Sequence, residues 1–326
     1  MKSILRGIGS YVPAKILDNK ELSLKVETSD DWIRTRTGIR ERRIASPDQS
    51  TSELALNAAR KAIDAAQIQP DEIDLVIVAT ITPDMAFPST ACILQHKLGL
   101  GKVACFDLEA ACSGFLYSLD VADGMLASGR YKCALVIGAE KMSSILDWED
   151  RTTCVLFGDG AGAAVILPST NGDGKILSSQ LGTDGAQAEL LNIPCGGSAC
   201  PITPENAKEN SAVLAMQGRE VFKHAVNAMK RASIEAIEAA GLTPADIKLL
   251  IPHQANLRII DAIVERLEIN RDDVFINLDK YGNTSAAAVA IALDEAHRSG
   301  RINRGDKILL VAFGAGLTWA SAVIEW

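Results

Sequence analysis

The sequence predicts an α/β protein made of two similar halves, each a mixed sheet covered by helices on both faces. Alanine-rich helical periodicities alternate with short, uninterrupted β-branched runs, the pattern of strands buried on both faces. The order helix, strand, helix, strand occurs twice, and landmarks of the two copies superpose under one offset. Ala62, Ala65, Ala66 and Pro70 fall on Ala236, Ala239, Ala240 and Pro244, a shift of 174 positions (236 − 62 and 244 − 70). Ile73 and Leu75 fall likewise on Ile247 and Leu249, and Leu119-Asp120 on Leu293-Asp294.

In the first copy, residues 54–66 read as a helix and 75–80 as a buried strand. Residues 114–128 follow as a helix, with Phe115, Leu116, Leu119, Ala122 and Leu126 at helical spacing, and 134–138 as a strand. The second copy repeats this at 221–240, 249–252, 286–298 and 308–313. The halves are expected at 1–170 and 171–326, joined by a turn-rich stretch at 168–174. Residues 192–212 carry Pro194, Gly196, Gly197, Pro201 and Pro204 and read as a surface loop without a counterpart in the first half. Gly158-Asp-Gly-Ala-Gly162 has the look of a phosphate-binding loop. An apolar strand follows it at 163–167 rather than a helix, so it reads as a tight turn.

The chain has 326 residues, 48% of them apolar and 23% charged, as in a globular enzyme with a substantial core. A net charge of −8 argues against general nucleic-acid binding. The opening apolar run is broken by charge, so no signal peptide is expected, and no apolar stretch is long enough to span a bilayer. Seven cysteines without CxxC pairing indicate neither a disulfide framework nor a zinc site. These features together read as a reduced cytoplasmic enzyme.

Three short apexes between apolar runs carry chemistry: Cys112 in Glu109-Ala-Ala-Cys-Ser-Gly114, His253 in Ile251-Pro-His-Gln-Ala-Asn-Leu-Arg258, and Asn283 in Tyr281-Gly-Asn-Thr-Ser285. Cys112 opens a helix, where unpaired amides and the dipole would lower a thiol pKa. Cys92, Cys105, Cys133 and Cys154 lie within apolar runs and read as core residues. His253 follows a strand-ending proline, whereas His96, His224 and His297 read as residues on helix faces. No further ligands stand at metal-binding spacing around His253. Under the offset, Cys112 and Asn283 both lie at the start of equivalent helices, and His253 ends a strand. Ligands of open α/β sheets bind beyond such strand ends. A thiol with two neutral hydrogen-bond donors suits acyl transfer or thioester decarboxylation.

Basic residues concentrate twice. Residues 30–43 hold five arginines and Trp32; Trp32 with Arg36 could stack an adenine and pair with phosphate, while the outer arginines read as solvated. Arg219, Lys223 and Lys230 form a basic stripe suited to an acidic protein or simply to solvent. A papain-like hydrolase shares the order Cys, His, Asn, and the gaps of 141 and 171 residues (253 − 112 and 283 − 112) do not exclude it. The missing Cys-Gly-[Ser/Ala]-Cys-aromatic signature and the duplicated α/β pattern argue against it.

Taken together, Ala-Cys-Ser-Gly-Phe, Pro-His-Gln-Ala-Asn-Leu-Arg and Gly-Asn-Thr-Ser-Ala-Ala resemble the β-ketoacyl-acyl carrier protein synthase III family, and the resemblance runs end to end. It implies a thiolase-like fold, a five-layered αβαβα arrangement, as a homodimer. It implies that a primer acyl-CoA acylates Cys112. His253 and Asn283 would then assist decarboxylation of malonyl-acyl carrier protein, with no cofactor, metal, nucleic acid or membrane involved. The amides of Cys112 and Ala315 would form the oxyanion hole. Trp32, Arg36, Thr37, Arg151, Gly218, Phe222 and Asn256 would line the coenzyme A channel. Gln254, Ala255, Asn256, Leu257, Arg258 and Lys223 would meet the carrier protein, and Phe87 would reach the partner's acyl pocket. The chain departs from the family in its loop at 196–210 and at Ala315 and Leu317. A polyketide-type or long-chain condensing enzyme of the same fold is the alternative.

Overall fold

The computed structural model describes residues 3–169, 175–209 and 212–326. Among these, nine strands build the two main sheets: β1 (Ser3–Tyr11), β2 (Leu75–Ala79), β3 (Ala104–Leu108), β4 (Ala134–Lys141), β5 (Asp159–Pro168), β6 (Lys175–Thr183), β7 (Leu249–Pro252), β8 (Lys307–Gly314) and β9 (Thr318–Glu325). The helices that position the site are α1 (Asp30–Thr37), α2 (Thr51–Ala66), α3 (Gly114–Ala127), α4 (Gly218–Ala239), α5 (Leu257–Leu267) and α6 (Ala287–Arg298).

The first sheet has the order β1-β5-β4-β2-β3 and the second β6-β9-β8-β7. Position for position, β6 stands for β1, β9 for β5, β8 for β4 and β7 for β2. The pairings correspond too: β4 with β2 and β8 with β7 are parallel, β5 with β4 and β9 with β8 antiparallel. The place of β3 is held in the second half by an isolated parallel bridge between Leu250 and Val274.

Strand pleating explains why the apolar runs are uninterrupted. Along β2, Leu75 and Ile77 face one layer while Val76 and Val78 face another, and all are buried. Leu75 and Ile77 join Phe115 and Leu119 of α3 and Val289 and Leu293 of α6 in a central layer shared with Ile251 and Leu310 of the second sheet. Val76 and Val78 pack outward on Leu54, Ala58 and Ala62 of α2. On the far side, Leu250, Leu309 and Val311 pack on Ala225, Met229 and Ala236 of α4 and Ile263 of α5. The layers are therefore helix, sheet, helix, sheet, helix.

Close packing of the central layer needs glycine. A Cβ on Gly138 of β4 would lie 2.3 Å from the Ala286 carbonyl oxygen, and one on Gly162 of β5 2.4 Å from the Ala290 Cβ. Gly158-Asp-Gly-Ala-Gly162 is thus not the tight turn the sequence suggested. It runs into β5, which starts at Asp159, and its glycines seat the neighbouring chain.

Three further expectations are corrected. Cys195 and Cys200 form a disulfide inside the loop that follows β6, against the reading of unpaired cysteines. Cys92 is exposed rather than part of the core. Arg42 is fully buried, not solvated; it donates to the carbonyls of Leu17 and Val155 and to the Asn19 side chain, because no charged partner is needed once three oxygens converge on one guanidinium. The expected junction at 168–174 lies, from residue 170, outside the described residues, as do Met1 and Lys2 of the opening run and residues 210–211 of the loop. Among the described residues no helix is long and apolar enough to cross a membrane.

Candidate active site

Cys112 sits in the turn Ala111–Ser113 that leads into α3, and it is 8% exposed. Two backbone features hold the turn. Ala111 adopts a left-handed φ of 46°, and Gly314 at the end of β8 admits it: a Cβ there would lie 2.6 Å from the Cys112 amide nitrogen. Thr318 Oγ1 donates to the Ala110 carbonyl at 2.9 Å, tying the same turn to β9.

His253 follows β7, and its backbone N–H donates to the Val311 carbonyl of β8 at 2.7 Å. The ring is buried, and burial holds its pKa down to about 4, so it is a neutral imidazole near pH 7. Asn283 is gripped from both sides of its backbone, donating to the Leu156 carbonyl at 2.8 Å and accepting from the Gly158 N–H at 3.0 Å. Its Oδ1 accepts the Ser285 N–H at 2.8 Å. The side-chain NH2 is the end left to face Cys112, which lies within hydrogen-bonding reach of Asn283 and Ser285.

The helix start was expected to lower the Cys112 pKa. Burial instead pushes the thiol up to about 12; Glu140 adds to the rise and the Asn283 contact opposes it. Desolvation of the buried sulfur outweighs a helix dipole and a neutral amide donor. The resting residue is therefore a thiol.

Two cavities meet at this sulfur. The first, of about 390 Å³, is lined at its inner end by Cys112, His253, Asn283 and Phe313. Its outer part is lined by Trp32, Arg36, Thr37, Gly218, Phe222, Ala255, Asn256 and Arg258, of which Arg36, Gly218, Phe222 and Arg258 are exposed. The Arg36 guanidinium lies 4.4 Å from the Trp32 ring centroid and that of Arg151 5.5 Å, so positive charge gathers at the mouth. The second cavity, about 860 Å³, runs from Cys112, Ser285 and Ala315 to Met85, Phe106 and Leu214.

The remaining predicted residues lie further out. Arg151 is exposed beside Trp32 and donates to the Glu27 carbonyl. Lys223 is exposed on α4 and paired with Glu220. Leu257 opens α5, whose N-cap is Asn256. Phe87 is 84% exposed, outside both cavities. Gln254 corrects an expectation: it is buried, donates to the Pro252 carbonyl and accepts the Asn277 N–H, so it builds the turn and offers nothing to a docked protein. Sequence reasoning missed Ser285 and Glu140 in the wall behind the thiol. Ser285 lay inside a motif already singled out; Glu140 ended an apolar strand with nothing to mark it.

The family model described as 3-oxoacyl-[acyl-carrier-protein (ACP)] synthase III matches residues 106–185, and its C-terminal counterpart residues 237–326. The chain is 57% identical over 320 residues to the β-ketoacyl-[acyl-carrier-protein] synthase III of Caldanaerobacter subterraneus, covering 98% of this chain and 96% of that one. It superposes on the crystal structure of the 3-oxoacyl-[acyl-carrier-protein] synthase III of Aquifex aeolicus with a TM-score of 0.92 at 47% identity, over 99% of this chain and 100% of that one. The priming β-ketosynthase of the R1128 polyketide pathway is 39% identical with a TM-score of 0.91, over 99% of this chain and 96% of that one. With this duplicated, five-layered thiolase fold, the chain belongs to the β-ketoacyl-acyl carrier protein synthase III family of acyl-transferring condensing enzymes.

Proposed function

We propose that Cys112, His253 and Asn283 carry out a decarboxylative condensation between a primer acyl-CoA and malonyl-acyl carrier protein, starting fatty acid synthesis. The observation that carries this reading is the meeting of both cavities at one buried sulfur, facing an uncharged imidazole and an uncharged amide.

The thiol attacks the acyl-CoA carbonyl carbon, the carbon–sulfur bond to coenzyme A breaks, and the thiol proton ends on the departing coenzyme A sulfur. Because the resting thiol is protonated, attack and proton loss are coupled. The tetrahedral oxyanion would lie against the amides of Cys112 and Ala315; one such donor typically contributes about 2.7–4 kcal/mol. The acyl chain occupies the larger cavity. Malonyl-carrier protein then enters by the other, where Arg36 and Trp32 first received coenzyme A. Loss of carbon dioxide moves charge onto the thioester oxygen. Two neutral donors, the imidazole N–H and the Asn283 amide, stabilise that enolate without protonating its carbon. The carbanion attacks the Cys112 thioester, releasing a 3-oxoacyl product and the thiolate, which takes a proton from water to restore the resting thiol. Every step uses side chains and thioesters alone, so no cofactor is called for. Cytoplasmic location belongs to the same reading, since both substrates are carried on soluble thiols.

Arg258 and Lys223, both exposed beside the channel, are the cations for an acidic carrier protein. An 84% exposed Phe87, next to a Met85 that lines the larger cavity, supports a homodimer in which each ring enters the partner's pocket. Similarity to a polyketide priming enzyme supports a second choice of acyl donor. Intact-protein mass spectrometry after incubation with a panel of acyl-CoAs tests the reading: a single acyl adduct on Cys112 is expected, its mass naming the primer. Undiminished adduct formation in Cys112→Ala refutes it.

A further inference from the structure

Glu140, the penultimate residue of β4, is fully buried beneath the reacting groups, and the chemistry above does not use it. Its Oε2 accepts from Thr80 Oγ1 at 3.1 Å, the Ile81 N–H at 3.1 Å and Thr82 Oγ1 at 2.6 Å. Each hydroxyl donates its one proton to Glu140 while also accepting a backbone N–H, Thr80 Oγ1 from Thr82 and Thr82 Oγ1 from Lys141. Its Oε1 accepts from one group, the Ser285 hydroxyl at 2.9 Å, across 145 residues of chain. Four donors and no acceptor fit a carboxylate. Burial raises the carboxyl and these four bonds hold the rise to about 7, so the ionised form that the donors fit prevails above that pH.

Ser285 is equally constrained. It is fully buried, adopts a left-handed φ of 48°, and its N–H fixes the Asn283 Oδ1. Its hydroxyl stands between Glu140 on one side and Cys112 on the other. With its proton given to Glu140, that hydroxyl meets the sulfur as an acceptor and leaves the Asn283 NH2 unopposed as donor.

We propose that Glu140 is a positioning residue for the condensation: through Ser285 it ties the Asn283–Ser285 turn to the first half and keeps the Ser285 proton away from Cys112. This rests on the reading that Asn283 serves the decarboxylation. Glu140→Gln keeps the volume but turns an N–H toward Ser285, whose proton must then swing to the Cys112 side and compete with Asn283. Ser285→Ala removes the tether and leaves the other three bonds of Glu140 intact, so it remains informative if Glu140→Gln fails to fold.

Two half-reactions are measured in the purified enzyme: acyl-enzyme formation from acyl-CoA, and decarboxylation of malonyl-acyl carrier protein by the pre-acylated enzyme. Each variant is expected to lower the second on the order of tenfold to a hundredfold and the first severalfold at most. Combining either with Asn283→Ala should cause little further loss, since residues acting through one another are not additive. Equal losses in both half-reactions, or losses that add in full to those of Asn283→Ala, overturn the proposal and mark Glu140 as packing only. Intact decarboxylation in Asn283→Ala alone would fell the underlying reading of the site and this inference with it. A loss in Asn283→Ala with none in Ser285→Ala fells this inference only.

Discussion

The two halves share a strand order, yet the same topological place carries a thiol in one and an alanine in the other. In the first half Cys112 stands at the entrance of α3; in the second, Ala286 stands at the entrance of α6. The second half instead arms the tip after β7 with His253 and the turn before α6 with Asn283. In the mechanism proposed above, divergence of the two copies gives one the nucleophile and the other the hydrogen-bond donors. An acceptor of acyl groups and a stabiliser of enolates need opposite behaviour, and two copies can meet both needs without compromise.

Breaking the first half's contribution should have the largest effect. Cys112→Ala is expected to abolish acyl-enzyme formation while the melting temperature stays within a few degrees, read by mass spectrometry and thermal unfolding. Breaking the second half's contribution should separate the steps. Asn283→Ala should leave acylation nearly intact and slow condensation about 10²–10³-fold, as loss of one oriented donor does; equal slowing of both steps would dissolve the contrast between the halves.

The seam between the halves comes next. Gly138→Val drives a side chain into the Ala286 carbonyl, and a loss of about 2–3 kcal/mol in urea unfolding is expected. His253 sharpens the contrast through pH. Its folded pKa of about 4 lies below the ordinary 6.5, so below pH 6.5 the unfolded chain takes up a proton that the folded one refuses. The stabilisation is complete above pH 6.5 and is lost as pH falls toward 4, by about 2–3 kcal/mol. Comparing the native chain with His253→Gln at pH 7.5 and 4.5 isolates this part; identical pH dependence would contradict it. The smallest effect belongs to the channel mouth: Arg36→Ala should raise KM for acyl-CoA roughly tenfold, about 1.4 kcal/mol, with kcat little changed.

The elements legible in the sequence were strands buried on both faces and helices with one long apolar stripe. The runs at β2, β4, β7 and β8 announced themselves because apolar neighbours lie on both faces, and the helices α2, α3, α4 and α6 because their buried residues recur at helical spacing. The antiparallel strands β1, β6 and β9 were not recognised: Ser178, Ser179 and Gln180 of β6 and Ser321 of β9 interrupt the apolar signal with polar groups bonded to neighbouring elements or half exposed. Arg42 and Gln254 misled for a related reason. A polar side chain in a sequence gives no sign that backbone carbonyls await it inside.

By itself the sequence determined the duplication and the helix-covered sheets and marked three candidate tips, since hydrophobic periodicity and short motifs are local properties of a chain. Only the tertiary structure decided the electrostatic state of those tips. Whether Cys112 rests as thiol or thiolate, and whether His253 is neutral, depends on how completely water is removed and on groups such as Glu140 and Ser285. Folding brings those together from distant positions, and no local pattern records their meeting.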